Sequence, residues 1–165
     1  MARRPRRSPR LALELPIRVF GTDPEGTEFV EDSQTLTVSQ HGAKIRLNHQ
    51  LVPEHEIKIV CLQTQQESVF RVVAKASVAE PSHTLWGIEC MNPAHDIWGV
   101  DTPPLSPEDQ HFVRVMLQCP ECRTRELFFV DESRLESINA FGGVVRDCLA
   151  CGSTGIWTQV PYYES

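Results

Sequence analysis

The sequence predicts a mainly β protein, a six-stranded antiparallel barrel followed by a small zinc ribbon. Three observations predict it. Short runs between Leu11 and Cys90 alternate apolar and polar residues with period two, the pattern that turns one face of a strand inward and the other to solvent. Turn-forming residues separate these runs at short, regular intervals, with no long helical pattern between them, which favours a small antiparallel barrel. Two Cys-x-x-Cys pairs, Cys119 with Cys122 and Cys148 with Cys151, occupy the last third. Their spacing lets two tight turns aim four thiolates at one tetrahedral ion.

The barrel is expected over residues 11–103. Leu11, Leu13, Leu15, Ile17 and Val19 alternate with Ala12, Glu14, Pro16 and Arg18, so the first strand is expected from Leu11, with Pro16 marking an edge or a bulge. Gly21-Thr22-Asp23-Pro24-Glu25-Gly26 supplies a turn, and an extended run from about Thr27 to Val38 completes a hairpin. After the Ser39-Gln40-His41-Gly42 turn, Ala43, Ile45 and Leu47 alternate with Lys44, Arg46 and Asn48. Three more strands are expected at Glu56 to Leu62, Ser68 to Ala79 and Thr84 to Cys90. Cys61 and Cys90 fall inside strands without a Cys-x-x-Cys partner and read as small core hydrophobes.

Pro93, Pro103, Pro104 and Pro107 break up the next stretch, with Trp98 and Val100 expected to pin it to the barrel. Ser106-Pro107-Glu108-Asp109 has the serine, proline and acids of a helix start, so residues 104–111 read as a linker with a short helix. The ribbon is expected over 112–165. A piece this short rarely buries enough apolar area to offset chain entropy without a metal or disulfide, and the cysteine quartet meets that need. Leu127 to Val130 and Ile156 to Val160 are expected strands beside the ion, with a helical insertion over Glu132 to Ala140.

The 165 residues are 41% hydrophobic and 23% charged, the composition of ordinary globular proteins. No apolar run reaches the roughly 18–20 residues needed to span a bilayer, and Glu14 and Arg18 interrupt what would be a signal-peptide core. The expectation is a cytoplasmic protein without membrane insertion, in a reducing compartment where Cys-x-x-Cys pairs bind metal more often than they form structural disulfides. Arg3, Arg4, Arg6, Arg7 and Arg10 put +5 on residues 1–10, so the net −6 of the whole leaves −11 on the rest. A polyanion partner is therefore expected at this basic arm and not across the surface.

Six histidines lack metal-ligand spacing, and no P-loop, nucleophile elbow or dinucleotide fingerprint is present, so no enzyme activity is expected. A four-thiolate zinc site leaves no open coordination position and would be structural. A thiol-redox role for Cys119 and Cys122 lacks the βαβ setting of thioredoxin-like pairs.

Two motifs resemble those of the PilZ family of bacterial cyclic-di-GMP receptors. Arg6-Arg7-Ser8-Pro9-Arg10 fits RxxxR before the first strand, and Thr37-Val38-Ser39-Gln40-His41-Gly42 is similar to [D/N]xSxxG after the second. Trp86-Gly87-Ile88-Glu89-Cys90 resembles the final barrel strand. The resemblance implies a signalling protein whose ligand site draws on Arg6, Arg7, Arg10, Thr37, Ser39 and Gly42. Guanidinium forks would grip phosphate oxygens and stack on guanine, and Ser39 and the backbone near Gly42 would supply hydrogen bonds. A downstream protein partner is implied, with a nucleic acid as an alternative one. Thr37 departs from the pattern, offering one hydroxyl where aspartate or asparagine offers two atoms. The alternative is a PilZ-like barrel that no longer binds the dinucleotide and serves as an adaptor for protein or nucleic acid.

Overall fold

A computed structural model describes residues 5–75, 84–101 and 103–161. Arg3 and Arg4 of the arm, His83 and the end of the strand expected at Ser68 to Ala79 lie outside them. The chain divides into two compact units, one of Leu13–Thr102 and one that joins Met1–Ala12 to Pro103–Ser165.

The first unit is a closed barrel of six antiparallel strands: β2 (Pro16–Thr22), β3 (Glu28–Ser39), β4 (Gly42–Leu47), β5 (Glu56–Cys61), β6 (Gln66–Lys75) and β7 (Thr84–Cys90). The ladder runs β2–β3–β4–β7–β6–β5 and returns to β2. Closure leaves no sheet edge among these strands, which removes the unpaired backbone groups that invite aggregation. Ile17, Val19, Ile45, Leu47, Ile59, Cys61, Phe70 and Val72 are buried to within 1%, and Ile88 and Cys90 on β7 are buried too, so both lone cysteines' strands point the expected faces inward. Trp98 packs on Phe70 with ring centroids 5.8 Å apart, the predicted pin for the proline-rich stretch. The β2–β3 hairpin turns on Asp23, whose carboxylate accepts the Glu25 and Thr27 amides at 3.0 and 2.9 Å, with Gly26 at φ 86°.

One expected strand is divided. The alternation from Leu11 to Val19 predicts a single run, but β1 covers only Leu11–Ala12 and β2 starts at Pro16. Between them the buried Thr35 hydroxyl accepts the Leu15 amide at 2.9 Å and donates to the Leu13 carbonyl at 2.6 Å, so a side chain bridges the break beside two backbone bonds, Leu13 amide to Leu36 carbonyl and Thr35 amide to Leu15 carbonyl. Proline, lacking an N–H, opens the next strand as its chemistry permits.

The domain boundary moves with it. Leu11 and Ala12, expected in the barrel, belong to the second unit, where Leu11 pairs in parallel with Arg114 of β8 (Val113–Gln118). The basic arm is likewise part of that unit, and so is the expected linker, which contains a 3₁₀ turn at Pro107–Gln110. β8 pairs antiparallel with β9 (Arg125–Val130) and, at its far end, with β11 (Thr154–Gln159), itself paired with β10 (Val144–Asp147). The helical insertion is α1 (Glu132–Phe141), capped at its start by the Asp131 carboxylate, which accepts the Arg134 amide, and ended by Gly142 at φ 79°, the left-handed C-terminal stop that glycine favours. Val113, Val115, Leu117, Val130, Leu135, Ile138 and Trp157 form a core with Cys119, Cys148 and Ala12. Arg146 lies over Phe128 and Trp157, 4.5 Å from each ring, sealing that core by cation–π contact.

Asp109 and Arg114 form a bidentate pair inside this unit, with Nε to Oδ1 at 2.9 Å and Nη2 to Oδ2 at 2.7 Å. The Ser106 amide and hydroxyl also donate to Asp109, and Arg114 reaches the Pro104 carbonyl. The connector is thus tied to β8. Among the described residues no helix is long and apolar enough to cross a membrane.

Candidate functional site: a four-cysteine centre and the arginine arm

Each cysteine pair sits on the turn of a β-hairpin. Cys119 follows the last residue of β8 and its knuckle leads into β9, while Cys148 follows β10 and leads into β11. The two turns are built alike. The Cys119 amide donates to the Thr124 carbonyl and the Arg123 amide to the Cys119 carbonyl, at 2.9 and 3.1 Å; Cys148 with Ser153, and Gly152 with Cys148, repeat this at 2.9 and 2.8 Å. The residue after the second cysteine is left-handed in both, Arg123 at φ 63° and Gly152 at φ 75°. That conformation is free for glycine and costs other residues roughly 1–2 kcal/mol.

The four sulfurs lie within 4.8 Å of one another, with Cys119 to Cys151 at 3.9 Å and Cys122 to Cys148 at 3.6 Å. A tetrahedron with Zn–S bonds of about 2.3 Å has edges of about 3.8 Å, so the cluster is compatible with a zinc ion. Cys119 and Cys148 are buried and Cys122 and Cys151 exposed, which roots the centre in the core and leaves its rim at the surface.

The electrostatics favour a cation. The Cys122 amide, with that of Glu121, faces the Cys119 sulfur and holds its thiol down at about 6. The Thr124 hydroxyl, 3.0 Å from Cys122 Sγ, lowers that thiol too. At Cys148 the Cys151 amide pulls down, but burial and the Cys122 and Cys151 thiols prevail and raise it to about 11. Sulfurs this close resist joint ionisation, and a bound divalent ion relieves that repulsion. Sequence reasoning passed over Thr124 and Ser153, whose hydroxyls lie 3.0 Å from Cys122 and Cys151; the signal was a hydroxyl residue two positions after each second cysteine.

The other expected site residues fall in both units. In the barrel, Thr37 is buried and Ser39 and Gly42 close the β3–β4 turn. The Ser39 hydroxyl accepts the Gly42 amide at 3.1 Å and donates to the Gly42 carbonyl at 3.2 Å. Gly42 has a packing reason of its own, since a Cβ there would stand 2.3 Å from the Ile88 carbonyl oxygen. Gly42→Ala is expected to cost the barrel about 1–3 kcal/mol, read as a lower urea midpoint.

The three described arginines of the motif belong to the second unit. Arg7 is exposed. The Gln110 side chain brackets Arg6, its Oε1 accepting the Arg6 amide at 2.7 Å and its Nε2 donating to the Arg6 carbonyl at 3.1 Å. The Arg10 carbonyl accepts the Arg114 amide at 2.9 Å, and its guanidinium pairs with Glu132 in the first turn of α1. Gln110 and Glu132 were not legible as partners of the arm. No protein-family model matches the chain, and no curated protein matches it either.

Proposed function

We propose that this is a cytoplasmic regulatory protein of the PilZ type that binds cyclic di-GMP and carries one structural zinc ion. The observation that supports it best is the closed antiparallel barrel whose β3–β4 turn is the Ser39-to-Gly42 motif, in a chain whose RxxxR arginines precede its first strand. The charges fit an arm-dependent ligand. Residues 13–102 hold six Lys and Arg against thirteen Asp and Glu, a net −7, so a dianionic dinucleotide needs Arg6, Arg7 and Arg10 to offset repulsion from the barrel. Ser39 and Gly42 would contribute hydrogen bonds, and Thr37 one hydroxyl. The zinc centre, with all four positions taken by cysteine, would stabilise its unit and present a surface to a downstream protein.

Calorimetry with cyclic di-GMP tests the reading. Saturable heat is expected for the native chain, and its loss in Arg10→Ala with the far-ultraviolet spectrum unchanged. Absence of heat at tens of micromolar removes it. The second reading, an adaptor that has lost the dinucleotide, is favoured by the burial of Thr37 and the use of the Ser39 hydroxyl inside its own turn. A nucleic-acid adaptor would show binding that weakens with salt, with a shallower slope once residues 3–10 are deleted; a protein adaptor would keep its partner when the arginines are replaced.

A further inference from the structure

We propose that the cysteine centre is also a modification site, at which a peroxide joins Cys122 to Cys148 in a disulfide across the two knuckles and so releases the metal. This rests on the zinc reading above and is independent of the dinucleotide. Exposure divides both knuckles in the same way: Cys119 and Cys148 are buried, Cys122 and Cys151 exposed. An oxidant from solvent therefore meets the second cysteine of each knuckle first. The short sulfur distances run between knuckles, each joining a rim sulfur to a core sulfur, Cys122 to Cys148 at 3.6 Å and Cys119 to Cys151 at 3.9 Å. The Ser153 hydroxyl tells the two pairs apart. It lies 3.0 Å from Cys151 and 3.9 Å from Cys119, and a hydroxyl drawing on both sulfurs of a pair weakens them as nucleophiles. In the other pair the Thr124 hydroxyl lies 3.0 Å from Cys122, and among the described contacts no hydroxyl faces Cys148.

Metal coordination keeps thiols ionised, so the Cys122 sulfur is a nucleophile whatever its own affinity for a proton. Its lone pair attacks one peroxide oxygen, the O–O bond breaks and hydroxide leaves, giving a sulfenic acid at Cys122. The Cys148 thiolate then attacks that sulfur, the S–O bond breaks and a second hydroxide leaves. Both hydroxides take protons from solvent, so the two thiolates are oxidised to one disulfide and the peroxide is reduced to two waters. With two of the four clustered sulfurs withdrawn, the centre no longer offers a tetrahedral shell. The new bond differs from a thioredoxin-like one, which closes within a single Cys-x-x-Cys pair. It ties the β8–β9 hairpin to the β10–β11 hairpin, so the oxidised unit keeps a covalent substitute for the ion that held those hairpins together.

The test titrates the full chain, purified with its zinc, with hydrogen peroxide. Released metal is read with a chromogenic chelator, free thiols by alkylation, and cross-linked peptides by mass spectrometry without reduction. About one equivalent is expected to release about one zinc and to lower the free cysteines from six to about four per chain. Fragmentation should place the bond between Cys122 and Cys148, and a dithiol reductant with added zinc should restore the starting state. The oxidised chain should keep the far-ultraviolet spectrum that chelation of the reduced chain abolishes. A bond within one knuckle, a bond between Cys119 and Cys151, or sulfinic acid without a cross-link overturns the proposal. A chain that carries zinc and keeps its six thiols does so too and leaves the zinc reading standing. A chain that carries no metal yet forms the Cys122 to Cys148 bond removes the zinc reading and keeps the modification site.

Discussion

Cys119→Ser is expected to unfold the cysteine-bearing unit while the barrel stays folded. Cys119 is fully buried in the same core as Trp157, Val115 and Leu117, so the substitution removes one of the four clustered thiols that the proposed zinc site requires and places a polar group among apolar side chains. Structural zinc contributes on the order of 10–16 kcal/mol of apparent folding free energy in small zinc-finger peptides, and a three-ligand site keeps only part of it. A unit whose sheet is assembled around two knuckle hairpins has too little other core to absorb that loss. Elemental analysis of the native chain should find about one zinc, and chelation should reproduce the variant. Protons compete with zinc for the thiolates, so apparent affinity falls as pH falls and metal release begins on the acid side. Native-like unfolding of both units without zinc would refute the assignment.

Asp109→Ala is expected to cost about 3–5 kcal/mol, because it leaves the Arg114 guanidinium buried without its carboxylate. Both members are buried, Asp109 wholly, and Arg114 lies over the Phe129 ring at 5.1 Å. Changing both residues to apolar ones of similar size should cost less than the single change, since no charge then remains. The pair also imposes a pH dependence. Burial pushes the Asp109 carboxyl up, but Arg114 and the Ser106 amide and hydroxyl outweigh it and hold the carboxyl below its usual value. A carboxyl lower in the folded than in the unfolded chain stabilises above the unfolded value of about 3.9 and loses that contribution as pH drops through the folded one. Urea midpoints of native protein should therefore fall between pH 5 and pH 3 more steeply than those of the doubly apolar variant, and parallel slopes would contradict the pair's role.

The barrel was legible because its signal is local. Period-two alternation and the Asp23 and Ser39 turns depend on neighbours in sequence, and five of the six barrel strands lie close to where alternation puts them. The failures all involve distant partners. Alternation carries Leu11 to Val19 as one strand because nothing nearby in sequence reveals that the Thr35 hydroxyl serves Leu13 and Leu15 twenty residues away. β8 and β10 were missed for a related reason. Val113-Arg114-Val115-Met116-Leu117 is nearly continuous in burial, the pattern of a central strand, while Val144 to Asp147 is too short to display a period. The cysteine centre was legible from spacing alone, since a knuckle is a local turn, but the hydroxyls of Thr124 and Ser153 and the grip of Gln110 and Glu132 on the arm required the fold.

The pairing of Leu11 with Arg114 fixes an order of events during synthesis. Roughly 100 residues separate Ala12 from Val113, and at about 5–20 residues per second the early strand emerges about 5–20 s before the one it pairs with. The intervening barrel can close in that interval, before β8 is available to Leu11. Fusions or truncations ahead of Leu11 would accordingly be felt at the far end of the chain as well, in the yield of the cysteine-bearing unit.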